Sequence, residues 1–285
     1  MSASKTFFIT GVSSGFGHEL AEAAITAGHR VIGTVRTEEA RRAFEQQFAG
    51  RPGQAFARLL DVTDFAAAEK IAAGVESEVG AVDVLVNNAG YGHEGIFEES
   101  GMDALQRQFD VNVFGAVAVT KGFVPFMRQR RRGHIINITS MGGFITMPGI
   151  AYYCGSKFAL EGISETLGKE LKDFNVFVTA VAPGSFRTDW AGRSMVRSPR
   201  SIADYDALFD PIRTTRAERS GKQAGDPRKA AQAMLKLADS PSPPAHLLLG
   251  SDALALVRKK LAALTQELAQ WEALTCSTDA EPHAT

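Results

Sequence analysis

The chain opens with Thr6-Phe7-Phe8-Ile9-Thr10-Gly11-Val12-Ser13-Ser14-Gly15-Phe16-Gly17, a short apolar run that leads into a glycine-rich turn. The run predicts a strand, and an amphipathic pattern that begins near Gly17 predicts a helix. Gly11 permits a tight turn, Gly15 lets the backbone approach a pyrophosphate, and Gly17 lets helix and strand pack closely. An anion would then lie on the unpaired N–H groups of the helix N-terminus. The turn therefore predicts a dinucleotide site, with Ser13, Ser14 and Phe16 beside the glycines.

Short apolar or β-branched runs alternate with longer amphipathic segments along the rest of the chain. The predicted strands are Thr6–Thr10, Arg30–Val35, Ala55–Leu60, Val82–Asn87, His134–Thr139, Val176–Ala182 and His246–Leu249. The predicted helices are Gly17–Ala27, Thr37–Phe48, Phe65–Glu78, Asp103–Arg130, Tyr152–Lys172, Pro227–Ala238 and Ser251–Leu274. This alternation predicts an α/β fold with a doubly wound, Rossmann-like parallel sheet covered on both faces. Ligands of such sheets bind beyond the carboxyl ends of the strands.

A single domain is expected, because no linker-like stretch interrupts the first 180 residues. Residues 1–250 form the predicted catalytic domain. Within it, 185–224 is too long for an ordinary connection and is predicted to form short helices over the active site, as a lid or substrate loop. Residues 251–274 are a C-terminal helical extension, for which packing on the body is favoured and a subunit contact is the second hypothesis. Residues 275–285 are predicted to be a flexible tail.

Composition excludes several classes of function. The 285 residues are 45% hydrophobic and 22% charged, with a formal net charge of −1. A net charge so close to zero does not favour binding to nucleic acid or to anionic membranes. Two cysteines cannot make a disulfide framework, and six histidines show no ligand spacing, so no metal is expected. No signal peptide is recognised, and no apolar stretch is judged long enough for a membrane span, so a cytoplasmic location is expected.

The end of the second strand bears on the choice of cofactor. An acidic residue there binds a ribose 2′-OH, whereas an arginine accepts a 2′-phosphate. Here no acid occurs before Glu38, and Arg36 can make a charge-assisted contact. NADP(H) is therefore predicted in preference to NAD(H). The alternative is that Arg36 is a solvent-facing loop residue.

Two further strand ends supply predicted cofactor contacts. Asp61 could accept a hydrogen bond from an adenine amino group while the Val62 N–H donates to the ring. The alternative, that Asp61 caps the next helix, is less natural, because Thr63 or Asp64 is better placed for that. After the fourth strand come Asn88, Ala89 and Gly90, small residues where a ribose must approach the backbone.

The candidate catalytic residues are Tyr153, Lys157, Ser140 and Asn112. Tyr153 and Lys157 share one face of a helix at spacing i, i+4. Lowering a phenol pKa from ~10 to ~7 takes about 4 kcal/mol, roughly the attraction of one ammonium at ~4 Å and an effective dielectric of ~20. Ser140 ends a strand and could hydrogen-bond a substrate oxygen. Asn112 is a mediocre helix former inside a helix, which suggests a polar task; a satisfied core amide is the alternative.

These residues together resemble the short-chain dehydrogenase/reductase superfamily. The resemblance runs from Thr6 to about Thr188. Its motifs are Thr10-Gly11-x-x-x-Gly15-x-Gly17, Asp61, Asn87-Asn88-Ala89-Gly90, Asn112, Ser140, Tyr153-x-x-x-Lys157 and Pro183-Gly184 followed by Thr188. It implies a Rossmann fold and the interconversion of carbonyls and alcohols on a small molecule.

The resemblance also implies roles for individual residues. Tyr153 would donate the proton in reduction, Ser140 would orient the carbonyl, and Asn112 would support a water relay. Lys157 would lower the Tyr153 pKa and bind the nicotinamide ribose. The segment with Pro183, Gly184, Phe186 and Thr188 would flank the nicotinamide amide. The chain departs from many tetrameric members after Gly250, where another long helix follows, so monomer, dimer and tetramer all stay open.

Two competing functions remain. A related epimerase or dehydratase also uses Tyr-x-x-x-Lys, but typically with the glycine pattern TGxxGxxG, which this chain lacks. A non-catalytic, NADP(H)-sensing regulator is the other; it could lose Tyr153 or Lys157 freely, and the chain retains all four catalytic residue types.

The substrate pocket is expected between Tyr91–Ile96, Met141–Ile150 and 185–224. Its predicted apolar wall consists of Phe144, Ile145, Met147, Phe186, Trp190 and Met195. This wall predicts a hydrophobic ketone or aldehyde (steroid-like, retinoid-like, aromatic or acyl). Seven arginines in the same stretch are predicted to form a solvated lid face, with an anionic substrate tail as the alternative. They are Arg187, Arg193, Arg197, Arg200, Arg213, Arg216 and Arg219.

Overall fold

A central parallel sheet organises the chain. The computed structural model describes residues 4–280 except 52, 189 and 191. Its sheet strands are β1 Thr6–Ile9, β2 Arg30–Val35, β3 Ala55–Leu59, β4 Val84–Asn87, β6 Gly133–Ile138, β7 Val176–Pro183 and β9 His246–Leu249. They lie in the order β3-β2-β1-β4-β6-β7-β9. The chain changes direction across the sheet between β1 and β4, which is the switch point of a doubly wound sheet. The predicted Rossmann-like α/β fold is confirmed.

Helices cover both faces of this sheet. They are α1 Gly15–Thr26, α2 Glu38–Gln47, α3 Phe65–Glu78, α4 Met102–Phe109, α5 Ala116–Arg130, α6 Ala151–Leu171, α7 Asp206–Glu218, α8 Pro227–Ala238 and α9 Ser251–Cys276. Successive residues of a strand face opposite sides. Phe7 and Ile9 therefore pack into the layer with α1 and α8, while Phe8 packs into the layer with α3 and α5. Phe8 contacts the Phe123 ring at 4.7 Å between centroids, and each buried ring stabilises the fold by about 1.5–3 kcal/mol.

Element bounds agree with the sequence prediction to within two residues for all seven main strands. Helix α7 forms within 185–224, where short helices were predicted. Two features were not predicted. A small parallel pair, β5 Gly92–Glu94 and β8 Met195–Arg197, lies outside the main sheet. Residues Asp110–Gly115 adopt a π-helical turn that joins α4 to α5.

The continuous helical stretch Met102–Arg130 bears on the expectation that no segment spans a membrane. By length and composition it could cross a membrane, with a mean hydropathy of 1.2 over 18 residues. Several of its side chains are buried against the sheet and α3, among them Val119, Phe123 and Met127. A place in the core accounts for its apolar character, as for many interior helices.

Buried carboxylates hold the segment 185–224 on the body. The Glu94 side chain is 1% exposed and forms ion pairs with Arg197 at 3.3 Å, Arg213 at 3.6 Å and Arg216 at 2.5 Å. Glu99 accepts hydrogen bonds from the backbone N–H groups of 201 and 202 and from the guanidinium of Arg200. The prediction of a merely solvated arginine face is therefore wrong for these four arginines.

The last helix differs from its expectation as well. Helix α9 ends at Cys276, two residues beyond the predicted end. Ala253 and Val257 are buried, but every residue from 258 to 276 is exposed. The favoured hypothesis that this helix packs on the body is wrong beyond Val257. Residues 281–285 of the predicted tail lie outside the described residues.

Candidate active site

A cleft of about 1250 Å³ opens beyond the carboxyl ends of the central strands, at the switch point between β1 and β4. Most of the predicted site residues line it. They are Gly11, Ser13, Ser14, Gly15, Phe16, Arg36, Asp61, Val62, Asn88, Ala89, Gly90, Ser140, Tyr153, Lys157, Pro183, Gly184, Phe186 and Thr188. The two remaining predicted residues, Gly17 and Asn112, are buried behind its wall.

The glycine turn has the geometry that the sequence predicted, with helix α1 starting two residues earlier, at Gly15. Gly15 has φ +60°, a conformation that favours glycine. A Cβ on Gly17 would lie 2.3 Å from the Gly11 carbonyl oxygen, so only glycine permits this approach of helix and turn. The residue before the helix, Ser14, makes no side-chain capping hydrogen bond. The first N–H groups of α1 therefore face the cleft, where an anion can accept from them.

Asn88 supports this turn from behind. Its Nδ2 donates to the carbonyl oxygens of Thr10 at 2.9 Å and Gly11 at 2.8 Å. In return, the Thr10 hydroxyl accepts from the backbone N–H groups of Asn88 and Ala89, both at 2.9 Å. The Asn88 amide thus ties the end of β4 to the turn after β1, which fixes two walls of the cleft relative to each other.

Arg36 and Asp61 lie at the ends of β2 and β3, on the same side of the cleft. Asp61 Oδ1 accepts from the Thr63 N–H at 2.9 Å and from its hydroxyl at 2.7 Å. These bonds, with the nearby Arg36 charge, lower the pKa of Asp61. The cap of α3 is Asp64, as the sequence suggested. Asp61 is therefore a fixed carboxylate and Arg36 an exposed cation beside it.

Tyr153 and Lys157 project from the first turns of α6 into the cleft and are both buried. The ring of Tyr153 packs on Trp190 at 5.0 Å between centroids. Burial raises the pKa of the Tyr153 phenol well above its ordinary value, and a hydrogen bond with Ser140 opposes that rise. The spacing of Tyr153 and Lys157 predicted a lowered pKa, whereas in the described structure burial outweighs the interactions that lower it.

Lys157 is held by the strand that precedes Ser140. Its Nζ donates to the Ile138 carbonyl at 2.8 Å and lies 5.8 Å from the centroid of the Tyr153 ring. Burial lowers the pKa of Lys157 to about 8, while the buried Glu161 one turn further along α6 raises it. At pH 7 the ammonium form is therefore the major one.

Asn112 lies in the π-helical turn. Its Nδ2 donates to the Tyr91 carbonyl at 3.0 Å and to Ser156 Oγ at 3.2 Å, and its Oδ1 accepts from the Tyr91 N–H at 3.1 Å. A Cβ on Gly90 would lie 3.1 Å from Asn112 Oδ1 and 3.7 Å from Lys157 Nζ, so glycine keeps the space between them open. π-Helical turns are frequent at functional sites.

The substrate half of the cleft corrects part of the predicted wall. Tyr91, Met141, Met147, Ile150, Phe186, Trp190, Val196 and Ile212 are among the side chains that line it. Phe144, Ile145 and Met195 are not. Phe144 packs on the His246 ring, with 5.6 Å between the ring centroids, and Ile145 and Met195 are buried. His93 is likewise buried, stacked on Tyr152.

Asp252 lines the cleft and was not predicted as a site residue. Its Oδ2 accepts from the Ser185 N–H at 2.8 Å, and a Cβ on Gly184 would lie 2.3 Å from its Oδ1. Asp252 therefore positions the segment after β7. The rule that strand ends carry ligand contacts could have found it, since it follows β9 by three residues.

Glu161 was not predicted either. Its Oε1 accepts a hydrogen bond from the Thr139 hydroxyl, and its Oε2 lies 2.8 Å from His246 Nδ1. No group of three or more metal-binding side chains occurs within residues 4–280 apart from the undescribed positions.

Residues 5–196 match the family model described as short chain dehydrogenase. Oxidoreductase BOA17 of Botryotinia fuckeliana is 34% identical over 274 residues, which are 96% of this chain and 99% of that protein. A 3-ketodihydrosphingosine reductase of Bacteroides thetaiotaomicron is 33% identical, covering 92% and 94% of the two chains. Human retinol dehydrogenase 8 is 34% identical, covering 85% and 80%.

Solved structures give the same result. A short-chain dehydrogenase from Streptomyces avermitilis superposes with a TM-score of 0.89 at 38% identity, covering 98% of this chain and all of that one. A Burkholderia phymatum member in complex with NAD gives 0.80 at 25% identity, with coverage of 93% and 95%. Actinorhodin polyketide ketoreductase with NADPH gives 0.74 at 28%, with coverage of 86% and 95%.

The fold and the site define a Rossmann oxidoreductase with a nucleotide-binding cleft. The chain belongs to the short-chain dehydrogenase family.

Proposed function

We propose that the protein is an NADP(H)-dependent oxidoreductase that interconverts a ketone or aldehyde and an alcohol on a largely hydrophobic small molecule. The observation that carries this proposal is the convergence of Ser140, Tyr153 and Lys157 on the cleft that the glycine turn opens. In the proposed organisation, residues 1–250 act as one catalytic domain, with 185–224 as its lid and 251–274 as an extension. A cytoplasmic location stays a prediction.

The residues fit a nicotinamide dinucleotide. The uncapped N-terminus of α1 suits a pyrophosphate, and the close approach at Gly17 leaves no room for a side chain there. The relatives with NAD or NADPH in their solved structures support this class of cofactor. When bound, the nicotinamide supplies or accepts the hydride. Asp61, Val62 and Ala89 would border the adenosine half, and Pro183, Gly184 and Thr188 the nicotinamide half.

The catalytic residues suit proton donation to a carbonyl. A raised pKa keeps the Tyr153 phenol protonated at neutral pH, which is the form that a proton donor needs. Ser140 would donate a hydrogen bond to the same carbonyl oxygen as negative charge develops on it. Lys157 would stabilise the phenolate that forms and bind a ribose hydroxyl. Asn112 would keep Tyr91 and α6 in register behind Lys157.

Replacing Arg36 by alanine is expected to weaken NADPH binding by about 10–100-fold and leave NADH binding within about twofold. The reason is the loss of one charge-assisted contact to the 2′-phosphate, worth about 1.5–3 kcal/mol. The dissociation constants are measured by titrating each cofactor into the protein and following protein fluorescence. Arg42→Ala is the matched control, because that arginine is 75% exposed on α2 and does not line the cleft. An unchanged NADPH affinity in Arg36→Ala contradicts the NADP(H) preference.

Reduction is expected to slow as the pH rises through about 8. The lowered pKa of Lys157 means that its ammonium is lost above that pH, so kcat/KM should fall about tenfold per unit on the alkaline limb. Lys157→Arg keeps the cation and should move the limb upward by more than one unit. Lys169→Arg, a 74% exposed change on the same helix, should not move it. A wild-type profile that stays flat to pH 10 argues against a catalytic Lys157.

The apolar lining favours a hydrophobic substrate, as the names of the sphingosine and retinol relatives also do. Basic residues line the same cleft, namely Arg107, Arg193, Arg216, Arg219 and Lys222. Matched aldehydes or ketones with and without a terminal carboxylate, assayed with NADPH, separate a neutral from an anionic substrate class. NADPH binding without turnover of any such compound would instead favour the non-catalytic regulator. Epimerisation or dehydration of the substrate without net oxidation of the cofactor would favour the epimerase or dehydratase.

A further inference from the structure

Helix α9 leaves the body of the protein after Val257. Residues 258–276 are exposed along their whole length, which at 1.5 Å per residue is about 28 Å. Isolated helices of this size are marginal in water, because most helix stability in proteins comes from packing an apolar face. Within the described part of the chain, nothing buries the side chains of this stretch.

The exposed apolar side chains follow a heptad repeat. Leu254, Leu261 and Leu268 are spaced by seven, and so are Val257, Leu264 and Trp271, which follow them by three. These are the a and d positions of a coiled coil. Of the members beyond the body, Leu261 is 54% exposed, Leu264 39%, Leu268 63% and Trp271 60%. We call these four residues the α9 stripe.

Charge along α9 is divided between its halves. Arg258, Lys259 and Lys260 lie at the start of the exposed stretch, Glu267 lies at its middle and Glu272 lies toward its end. A parallel partner of the same sequence would place like charges side by side. An antiparallel partner places the basic start of one helix beside Glu272 near the end of the other, while Glu267 lies near Glu267 of the partner subunit in either orientation. Arg258 and Glu272 each directly follow a d position and so flank the stripe, where such pairs select orientation.

We propose that the α9 stripe pairs with the same stripe of a second copy of this chain, antiparallel and about a two-fold axis. In this register Leu261 opposes Trp271 of the partner subunit, and Leu264 opposes Leu268 of the partner subunit. The axis crosses the pair at the level of position 266, on the face opposite to the Gln266 side chain. Each contact then occurs twice, as a closed two-fold interface requires. Arg258 lies beside Glu272 of the partner subunit.

A membrane surface fits these observations less well. Interfacial helices are rich in lysine and arginine across the polar face, which binds anionic lipids. The exposed stretch 258–276 carries three basic residues, Arg258, Lys259 and Lys260, against two acidic ones, Glu267 and Glu272. Its net charge is only +1 and its basic residues are confined to one end, so it lacks the basic face of such helices. Arg258 and Glu272, in contrast, suit a pair with its own copy.

Sedimentation of the full chain over a concentration series tests the pairing. The double variant Leu264→Glu/Leu268→Glu should raise the concentration of half-dissociation on the order of a hundredfold, because it places carboxylates in the apolar seam. Gln266→Glu/Gln270→Glu adds the same charges on the outer face of α9 and should leave assembly unchanged. Equal masses for wild type and the seam variant across the series overturn the proposal. The helix content of both variants is measured by circular dichroism to show that α9 still folds.

Cross-linking tests the orientation without destabilising the seam. With a short bis-maleimide, Thr265→Cys in a Cys276→Ser background should form a covalent dimer, because position 265 lies beside the axis. The native Cys276 residues would lie about 30 Å apart in the antiparallel pair and should not react together. Cross-linking through Cys276 but not through position 265 overturns the antiparallel arrangement.

Flotation with vesicles of phosphatidylcholine and phosphatidylglycerol tests whether the α9 stripe binds a membrane surface instead. No co-flotation is expected; co-flotation of the wild type that the seam variant loses, with a monomeric mass in solution, overturns the proposal. None of these readouts uses enzymatic activity, so the pairing and the proposed function fail or succeed separately.

Discussion

Replacement of Tyr153 by phenylalanine is expected to lower kcat for NADPH-dependent carbonyl reduction by about 10²–10⁴-fold. The variant removes the hydroxyl that would give its proton to the substrate oxygen. The ring stays in place against Trp190, so the cleft keeps its shape. NADPH affinity should change little, because the glycine turn and the cation at Arg36 are untouched. Pre-steady-state and steady-state rates with a hydrophobic aldehyde measure the effect.

The neighbouring tyrosine provides a matched control. Tyr152 is buried on the same helix, but its hydroxyl donates to the Ser100 carbonyl at 2.7 Å and does not face the cleft. Tyr152→Phe should therefore cost about 1 kcal/mol of stability and leave kcat within about twofold. If Tyr153→Phe kept more than half of the activity while binding NADPH, proton donation by Tyr153 would be wrong.

Replacement of Glu94 by glutamine is expected to destabilise the protein by about 3 kcal/mol and to loosen the segment 185–224. Removing one partner of a buried ion pair costs about 3–5 kcal/mol, and the lower value applies because the three arginines are partly exposed and water screens them. The glutamine keeps the size of the side chain, so the loss reports charge. Tm should fall by about 6–12 °C.

Glu98→Gln is the control for this change. Glu98 also contacts the segment, accepting from the Tyr205 hydroxyl at 2.8 Å, but it is exposed and should cost no more than about 1 kcal/mol. Limited proteolysis locates the effect: cleavage between 195 and 218 should accelerate in Glu94→Gln and not in Glu98→Gln. Equal melting and equal cleavage in the two variants would show that the Glu94 cluster does not hold the lid.

Much of this molecule could be predicted from its sequence because the relevant interactions are local or periodic. The strands are near-continuous apolar runs, and the i, i+4 spacing puts Tyr153 and Lys157 on one face of a helix. The glycines of the turn are required by backbone geometry that a sequence displays directly, as the close approach at Gly17 illustrates. The family then followed from the combination of these motifs.

Other features depend on contacts between distant residues, which no local pattern records. Glu94 and its three arginines are about 100 or more positions apart, so the ion cluster could not be read from charge spacing. The Tyr153 pKa depends on burial of the phenol in the folded protein rather than on the lysine alone. Periodicity identified α9 as amphipathic, but burial decides whether its apolar face meets the body or another chain.

The π-helical turn at Asp110–Gly115 has a consequence for how this helix tolerates change. A π-turn corresponds to one residue inserted in an α-helix. It changes the phase between the two flanking helices, so that Gln108 and Asn112 both reach the Tyr91 carbonyl while Phe123 and Met127 still face the sheet. Removing one residue here would restore a regular helix and rotate one half by about 100°. We therefore expect insertion or deletion of a single residue between Gln108 and Phe123 to disrupt either the contacts with Tyr91 or the packing on the sheet.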